Sequence, residues 1–248
     1  MLVDKIEKFL IKQDKEKPLV AHKVFTTMFT KACQRQSAYK FHAFVPKEKQ
    51  ARMFINFEIG YAVEKVILEN AKKAGCEIEF NNAWLGVIKD GTNVVCKPDG
   101  LYKDKKGVLY NVEIKKMSEY GFKSFKENGL NNDWGYISQA NFECEAWKQQ
   151  DMNVVGTIFI VVNGNTGHLA EEFIKFDSKV VEKMLARVRT VMNSTKNELP
   201  ERYYKPELKS GKEYLPVECS YCDYTQHCWP NFKLMFSKGG SPLYVKEN

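Results

Sequence analysis

A mixed α/β fold, one sheet flanked by helices, is what this sequence predicts, as a single domain over residues 1–248. Three observations lead there. Hydrophobic residues make up 44% of the chain and charged residues 28%, the balance of a globular protein with a sizeable core. Strand-like runs alternate with stretches of helical periodicity along the whole length. The longest apolar run, 154–162, has the length of a buried strand and falls far short of a membrane helix. The N-terminal stretch also lacks the apolar core of a signal peptide, so an intracellular, cytoplasmic protein is expected.

Taken in order, residues 2–12 have the spacing of an amphipathic helix, with Leu2, Ile6, Phe9 and Leu10 on one side until Pro18 breaks the pattern. A second helix is expected over 22–36, with Cys33 near its end. A long helix over 48–74 closes at Gly75, a suitable residue for a helix C-terminus. Gly60 sits inside that helix at a cost of about 1 kcal/mol relative to alanine, and Glu64 follows one turn later on the same face. Short strands are expected at 77–81, 84–89 and 93–98, the last two joined by a turn at Asp90-Gly91. A strand over 108–115 would complete the meander. Residues 116–126 mix lysines with aromatics, which suits either a nucleic-acid contact or an amphipathic helix with Phe122 and Phe125 inside. After a polar loop, 127–133, come a helix at 134–150, a hairpin of strands 154–162 and 168–175, and an amphipathic helix at 177–198. There are no internal repeats.

The chemistry concentrates around Cys96-Lys97-Pro98-Asp99-Gly100 and Tyr110-Asn111-Val112-Glu113-Ile114-Lys115. On a strand, Glu113 and Lys115 share one face while Val112 and Ile114 point into a hydrophobic layer. Asp99, ahead of the turn, can fold back beside Glu113. Two converging carboxylates suit Mg²⁺ or Mn²⁺, and an adjacent lysine can stabilise negative charge. The competing reading is an ordinary solvated Glu–Lys pair, with Glu64 a solvated helix residue.

Seven cysteines are unevenly spaced. Three of them, Cys219, Cys222 and Cys228, form a C-x2-C-x5-C run that points to a metal or iron–sulfur site. A fourth ligand must come from His227 or from a distant cysteine. Cys33, in a polar and basic segment, suits better than Cys76, Cys96 or Cys144, although one cysteine taken alone is more often a small buried hydrophobe.

In combination, these features resemble the RecB-like branch of the PD-(D/E)XK nucleases that carry an iron–sulfur cluster, a group that includes the CRISPR-associated iron–sulfur exonucleases and the AddB nuclease domain. The resemblance runs from Cys33 to Cys228 and rests on order: a cysteine, a helical G-x3-E, P-D, E-x-K, a helical glutamine, then the cysteine run. It is closer to compact stand-alone members, phage-encoded ones among them, because the chain has no G-x4-G-K-[ST] phosphate loop for a fused helicase. The resemblance implies a restriction-endonuclease-like fold whose cluster joins the N- and C-terminal segments. It implies metal ligation by Glu64, Asp99, Glu113 and the backbone carbonyl of Ile114, with Lys115 catalytic and Gln139 supporting the lysine and the substrate phosphate. It implies a [4Fe–4S] cluster on Cys33, Cys219, Cys222 and Cys228, with zinc the alternative occupant of the cysteines. One departure is plain: the family often has Q-x3-Y in this helix, and here position 143 is glutamate, with Tyr136 and Phe142 the nearest aromatics.

The resulting expectation is a metal-dependent deoxyribonuclease, a single-strand exonuclease, acting on DNA that is single-stranded or has single-stranded ends. Products would be a 5′-phosphate and a 3′-hydroxyl, in recombination, repair or DNA processing. The net charge of +7 is compatible with a polyanionic partner. Two other readings remain open: a DNA-binding accessory protein with a dormant site, and a zinc-tailed binding module in which E-x-K is accidental.

Overall fold

The computed structural model describes residues 2–79, 83–89, 91–130, 134–237 and 240–246. The chain begins with helices α1 (Leu2–Lys15), α2 (Thr26–Phe29), α3 (Gln34–Phe41) and α4 (Ala51–Lys73). Strands β1 (Glu77–Glu79), β2 (Leu85–Lys89), β3 (Thr92–Cys96), β4 (Gly100–Lys103) and β5 (Leu109–Met117) follow. Next come α5 (Glu119–Asn128), α6 (Tyr136–Lys148), β6 (Val154–Asn163), β7 (Leu169–Lys175) and α7 (Ser178–Met192). The C-terminal part holds β8 (Glu207–Lys209), β9 (Lys212–Tyr214), α8 (Val217–Ser220), α9 (Thr225–Cys228), β10 (Phe232–Phe236) and β11 (Pro242–Lys246).

The main sheet has the order β1-β4-β5-β6-β7, and only the β5–β6 pair is parallel. Helices flank it, so the expected mixed α/β class holds. The alternation of β5 assigns the two faces. Val112 and Ile114 pack with Leu68, Ile78 and Val162 under α4. Asn111, Glu113 and Lys115 point to the other side, where the parallel register sets them beside Thr157, Phe159 and Val161 of β6. Phe159 and Val161 join Phe125 of α5 in a separate core. A third core gathers Phe142 and Ala146 of α6 with Met184, Leu185 and Val188 of α7 and with Phe29 and Phe41.

Several expected boundaries change. No single helix covers 22–36: Val24 accepts a hydrogen bond from the Val95 N–H at 3.1 Å, and Phe25 bridges Val95, so this segment is drawn out against β3. Cys33 therefore stands as the extended N-cap of α3, not near the end of a helix. The meander also differs. β2 and β3 pair with each other in a separate two-stranded sheet, and the unforeseen β4 lies between β1 and β5. Asp90 of the expected turn, residues 80–81 of the expected first strand and residues 131–133 of the expected loop lie outside the described residues. Residues 119–128 form α5, with Phe125 buried, which is the amphipathic-helix reading of that stretch. The helix expected to reach 198 ends at Met192, where the Ser194 hydroxyl donates back to the Val191 carbonyl at 2.6 Å. The apolar side of α1 is covered only in part: Leu2 is 73% exposed and Phe9 57%, whereas Leu10 is half-buried. The small sheet β10-β11-β9-β8 was not legible as strands.

Candidate active site and cysteine cluster

Asp99 is the last residue before β4, and the β4–β5 register sets Gly100 opposite Val112. That pairing delivers Asp99 to the side of β5, where its Oδ2 accepts the Ile114 N–H at 2.7 Å. Ile114 thus gives its N–H to the site and its side chain to the core beneath α4. Glu113 is fully enclosed, 1% exposed. Its Oε1 accepts from the Lys115 ammonium and from Gln139 Nε2, the latter at 2.8 Å. Its Oε2 is buried with no partner among the described residues. Lys115 keeps part of its side chain accessible, whereas its partner Glu113 is enclosed.

Beneath these residues lies a polar network that sequence reasoning missed. Gln139 Nε2 also donates to Glu143 Oε1 at 2.8 Å. Glu143 Oε2 accepts from Asn111 Nδ2 at 3.0 Å, and Asn111 Oδ1 accepts from Trp147 Nε1 at 3.0 Å. Thr157 anchors the base, accepting from Asn111 at 3.1 Å and donating to the Ala140 carbonyl at 3.1 Å. Two signals were available: Glu143 is one helical turn beyond Gln139, and Asn111 is two strand residues before Glu113. The glutamate that departs from Q-x3-Y is therefore a buried member of the site.

Electrostatics follow from this enclosure. Burial pushes the Glu113 carboxyl up to about 8, with the Glu143 charge adding to the effect and Lys115 opposing it. Burial likewise raises Asp99 to about 8, with Glu113 and Glu64 adding and Lys115 opposing. Glu143 is raised to about 7 by burial and then by Asp99. Burial works against the Lys115 charge, but Glu113 and Asp99 together hold its pKa above the ordinary lysine range. The Tyr136 hydroxyl is raised by burial and also feels Lys115 and Glu113, which places it at the same site. Such clustering of displaced carboxyls is typical of functional centres. Glu64, half-buried on α4, enters through its field on Asp99. Among the described residues, no three His, Cys, Asp or Glu side chains close on one point as a single ion requires.

The second assembly is built on cysteine. Cys33, Cys219, Cys222 and Cys228 line one pocket together with Tyr39, Tyr204 and Trp229. Burial raises the Cys219 thiol to about 12 and Cys222 to about 11, and the neighbouring cysteines add to both. His227 is turned away: its Nε2 lies 2.6 Å from the Val45 carbonyl, and its ring packs against Phe44 and Tyr39. Cys96 and Cys144 are buried in hydrophobic cores and Cys76 packs against another, away from this pocket. The segments are also tied by Arg35 to the Pro200 carbonyl at 2.8 Å and by Lys47 to the Ser220 carbonyl at 3.2 Å.

No protein-family model matches the chain, and no curated protein sequence does. Solved structures do resemble its fold. The structure titled "Crystal structure of SSO0001" superposes with a TM-score of 0.52 at 13% identity, covering 92% of this chain and 96% of that one. An alkaline exonuclease (LHK-Exo) from Laribacter hongkongensis gives a TM-score of 0.45 at 13% identity, with 69% of this chain and 86% of that one covered. LHK-Exo in complex with dAMP gives 0.47 at 14% identity over the same shares. The first likeness bears on fold alone. No helix among the described residues is long and apolar enough to cross a membrane.

Proposed function

We propose that this chain is a metal-dependent DNA nuclease that hydrolyses phosphodiester bonds in single-stranded DNA or single-stranded ends. The observation that carries the reading is Glu113. It is a fully buried carboxyl with one oxygen held by Lys115 and Gln139 and the other without a partner. A buried acid left half-satisfied costs free energy unless something charged or protic meets it.

The chemistry of the donor set suits a hard divalent ion, although among the described residues no three carboxylates close on one point. Glu64, Asp99, Glu113 and the Ile114 carbonyl are all oxygen donors, the chemistry of Mg²⁺ and Mn²⁺. Such an ion, when bound, would polarise a phosphoryl oxygen and acidify a water. The chain's own residues do the rest. Asp99 is fixed in direction by the Ile114 N–H. Gln139 fixes Glu113 from the opposite side. Lys115, permanently protonated beside Glu113 and Asp99, offsets negative charge that develops on the phosphate and orients the attacking water. Tyr136 and Gln139 lie on the substrate side, at the N-terminal half of α6.

For the second assembly, four thiols around one pocket fit a [4Fe–4S] cluster held by Cys33, Cys219, Cys222 and Cys228. Its part is structural, tying the segment at position 33 to the C-terminal tail. Zinc on the same cysteines is the competing occupant, and metal analysis separates the two.

The test is cleavage of end-labelled single-stranded DNA with and without Mn²⁺. Wild type should cleave only with the ion, and Lys115→Ala should abolish cleavage while leaving fold and DNA binding largely intact. Full cleavage by Lys115→Ala removes that residue from the mechanism. Wild type that binds DNA and never cleaves is instead the accessory protein with a dormant site.

A further inference from the structure

One face of α4 changes surroundings along its length. Met53, Asn56, Gly60, Val63 and Ile67 follow one another three or four residues apart and so share a face. At the C-terminal end of that face, Val63 and Ile67 pack on the sheet with Val112 and Ile114. At the N-terminal end, Met53 is half-buried and Asn56 exposed, and both line a groove opposite Tyr221, Leu234 and Phe236. Gly60 marks the changeover, and a Cβ built there would meet nothing within 4 Å. Glu64, the metal-ligand candidate, follows directly. From Arg52 to Glu64 the helix rises roughly 18 Å, about five nucleotides of a stacked strand.

The opposite wall leads to the same place. The Tyr221 ring stands nearly perpendicular to that of Trp134, with centroids 6.2 Å apart. The Lys31 ammonium lies 5.0 Å from the Trp134 centroid. Trp134 directly precedes Gly135, the N-cap of α6, the helix that carries Tyr136 and Gln139 into the site. Trp134 is 41% exposed, Tyr221 48% and Phe236 51%, so these rings present faces to solvent. Charge along the groove is positive on balance. Lys47 and Arg52 line it together with Glu48, which is paired with Lys15 at 3.0 Å, and Lys31 adds a cation beside Trp134.

We propose that this groove is a strand-binding subsite for nucleic acid, in which bases stack on Trp134 and Tyr221 and phosphates lie against Lys31 and Arg52 on the way to the carboxylates. Side-chain stacking needs unpaired bases, so the occupant is a single strand and not a duplex. The inference rests on the nuclease reading for its direction, since the α4 face that lines the groove at Met53 and Asn56 continues to Gly60, one turn before Glu64, but its test does not depend on cleavage.

Binding of fluorescein-labelled single strands of 4 and 12 thymidines is measured by anisotropy on the full chain, with Ca²⁺ present so that no cleavage intervenes. Wild type should hold the 12-mer well above the 4-mer. Trp134→Ala and Tyr221→Ala should each weaken the 12-mer about tenfold, within the range found for loss of one stacked base. Arg52→Glu, an exposed change on α4 that leaves packing alone, should weaken it too and lower its salt dependence by about one phosphate contact. Equal binding of both lengths, or 12-mer binding by Trp134→Ala and Arg52→Glu at the wild-type level, overturns the subsite. So does a DNA-free dimer in sedimentation that Arg52→Glu dissociates, because a second copy of the chain would then occupy the groove. Cleavage by wild type combined with unchanged binding in the variants removes the subsite alone. Groove-dependent binding without cleavage in Mn²⁺ removes the nuclease reading alone.

Discussion

Gln139 and Glu113 are joined by an amide-to-carboxylate hydrogen bond of 2.8 Å, and the same amide nitrogen serves Glu143 at 2.8 Å. Two acids, each 1% exposed, thus lean on one neutral donor. Removing that donor strips one bond from each acid while Lys115 and Asn111 keep their own. Gln139→Leu should therefore cost about 2 kcal/mol of stability. Urea unfolding of the metal-free protein measures it, and the loss should be smaller at pH 5 than at pH 8, because protonated acids tolerate lost partners better. An unchanged midpoint at pH 8 would show that the two acids do not depend on Gln139.

Proton linkage gives the second prediction. Asp99 and Glu113 sit near 8 in the fold, and Glu143 near 7. The unfolded chain returns all three to the ordinary carboxyl range near 4. Between those limits the native state holds more protons than the unfolded state, so stability falls as pH rises. The contribution is complete below about pH 4 and is lost as pH passes 8. Thermal melts without metal should show Tm falling from pH 6 to pH 9 by roughly 5–10 °C, the scale of a few kcal/mol in a chain of this size. If Mn²⁺ is held by these acids as proposed, it takes their deprotonated form, so its upward shift of Tm should be larger at pH 8.5 than at pH 6. A metal-free Tm that rises over the same interval contradicts this.

The acid at position 143 can be separated from the rest. Its charge is the largest influence on Glu113 after burial itself. Glu143→Gln keeps the shape and removes that charge, so the metal-free protein should gain about 1–2 kcal/mol at pH 8 and nothing at pH 5. The gain should appear as a raised urea midpoint at pH 8 only. Loss of stability at both values would mean that the Asn111 and Gln139 bonds need the carboxylate itself.

Much of this arrangement was legible in the chain before folding, for physical reasons. The alternation of β5 assigned Glu113 and Lys115 to one face and Val112 and Ile114 to the other, because strand geometry leaves no other choice. Asp99 was expected beside Glu113 because the chain can fold back between them, even though β4 itself, only four residues long, carried too little pattern to be seen as a strand. The depth of Glu113 was not legible: it depends on α6 closing over the sheet, a contact between residues 26 positions apart. The burial of Glu143 was not legible for the same reason: its bond to Asn111 forms only where α6 packs on the sheet. The break at 22–36 arose from pairing with β3, a long-range bond that local periodicity does not carry. Cysteine spacing told more, since C-x2-C-x5-C has few uses, and Cys33 does reach the same pocket.

That pocket also separates its fourth-ligand candidates. His227 bonds the Val45 carbonyl and packs on Tyr39 and Phe44, whereas Cys33 lines the pocket with the other three thiols. In protein prepared without oxygen, Cys33→Ser and Cys222→Ser should each lose the brown colour and most of the bound iron and sulfide. His227→Ala should keep both and lose only packing. Closing a loop from Cys33 to Cys228 stabilises the fold by on the order of 5 kcal/mol if the cluster acts as a long cross-link. Both serine variants should therefore melt well below wild type, as should wild type stripped of its metal. Colourless, zinc-containing wild type from the same preparation would assign the cysteines to zinc, and retained colour in Cys33→Ser would return the fourth position to another residue.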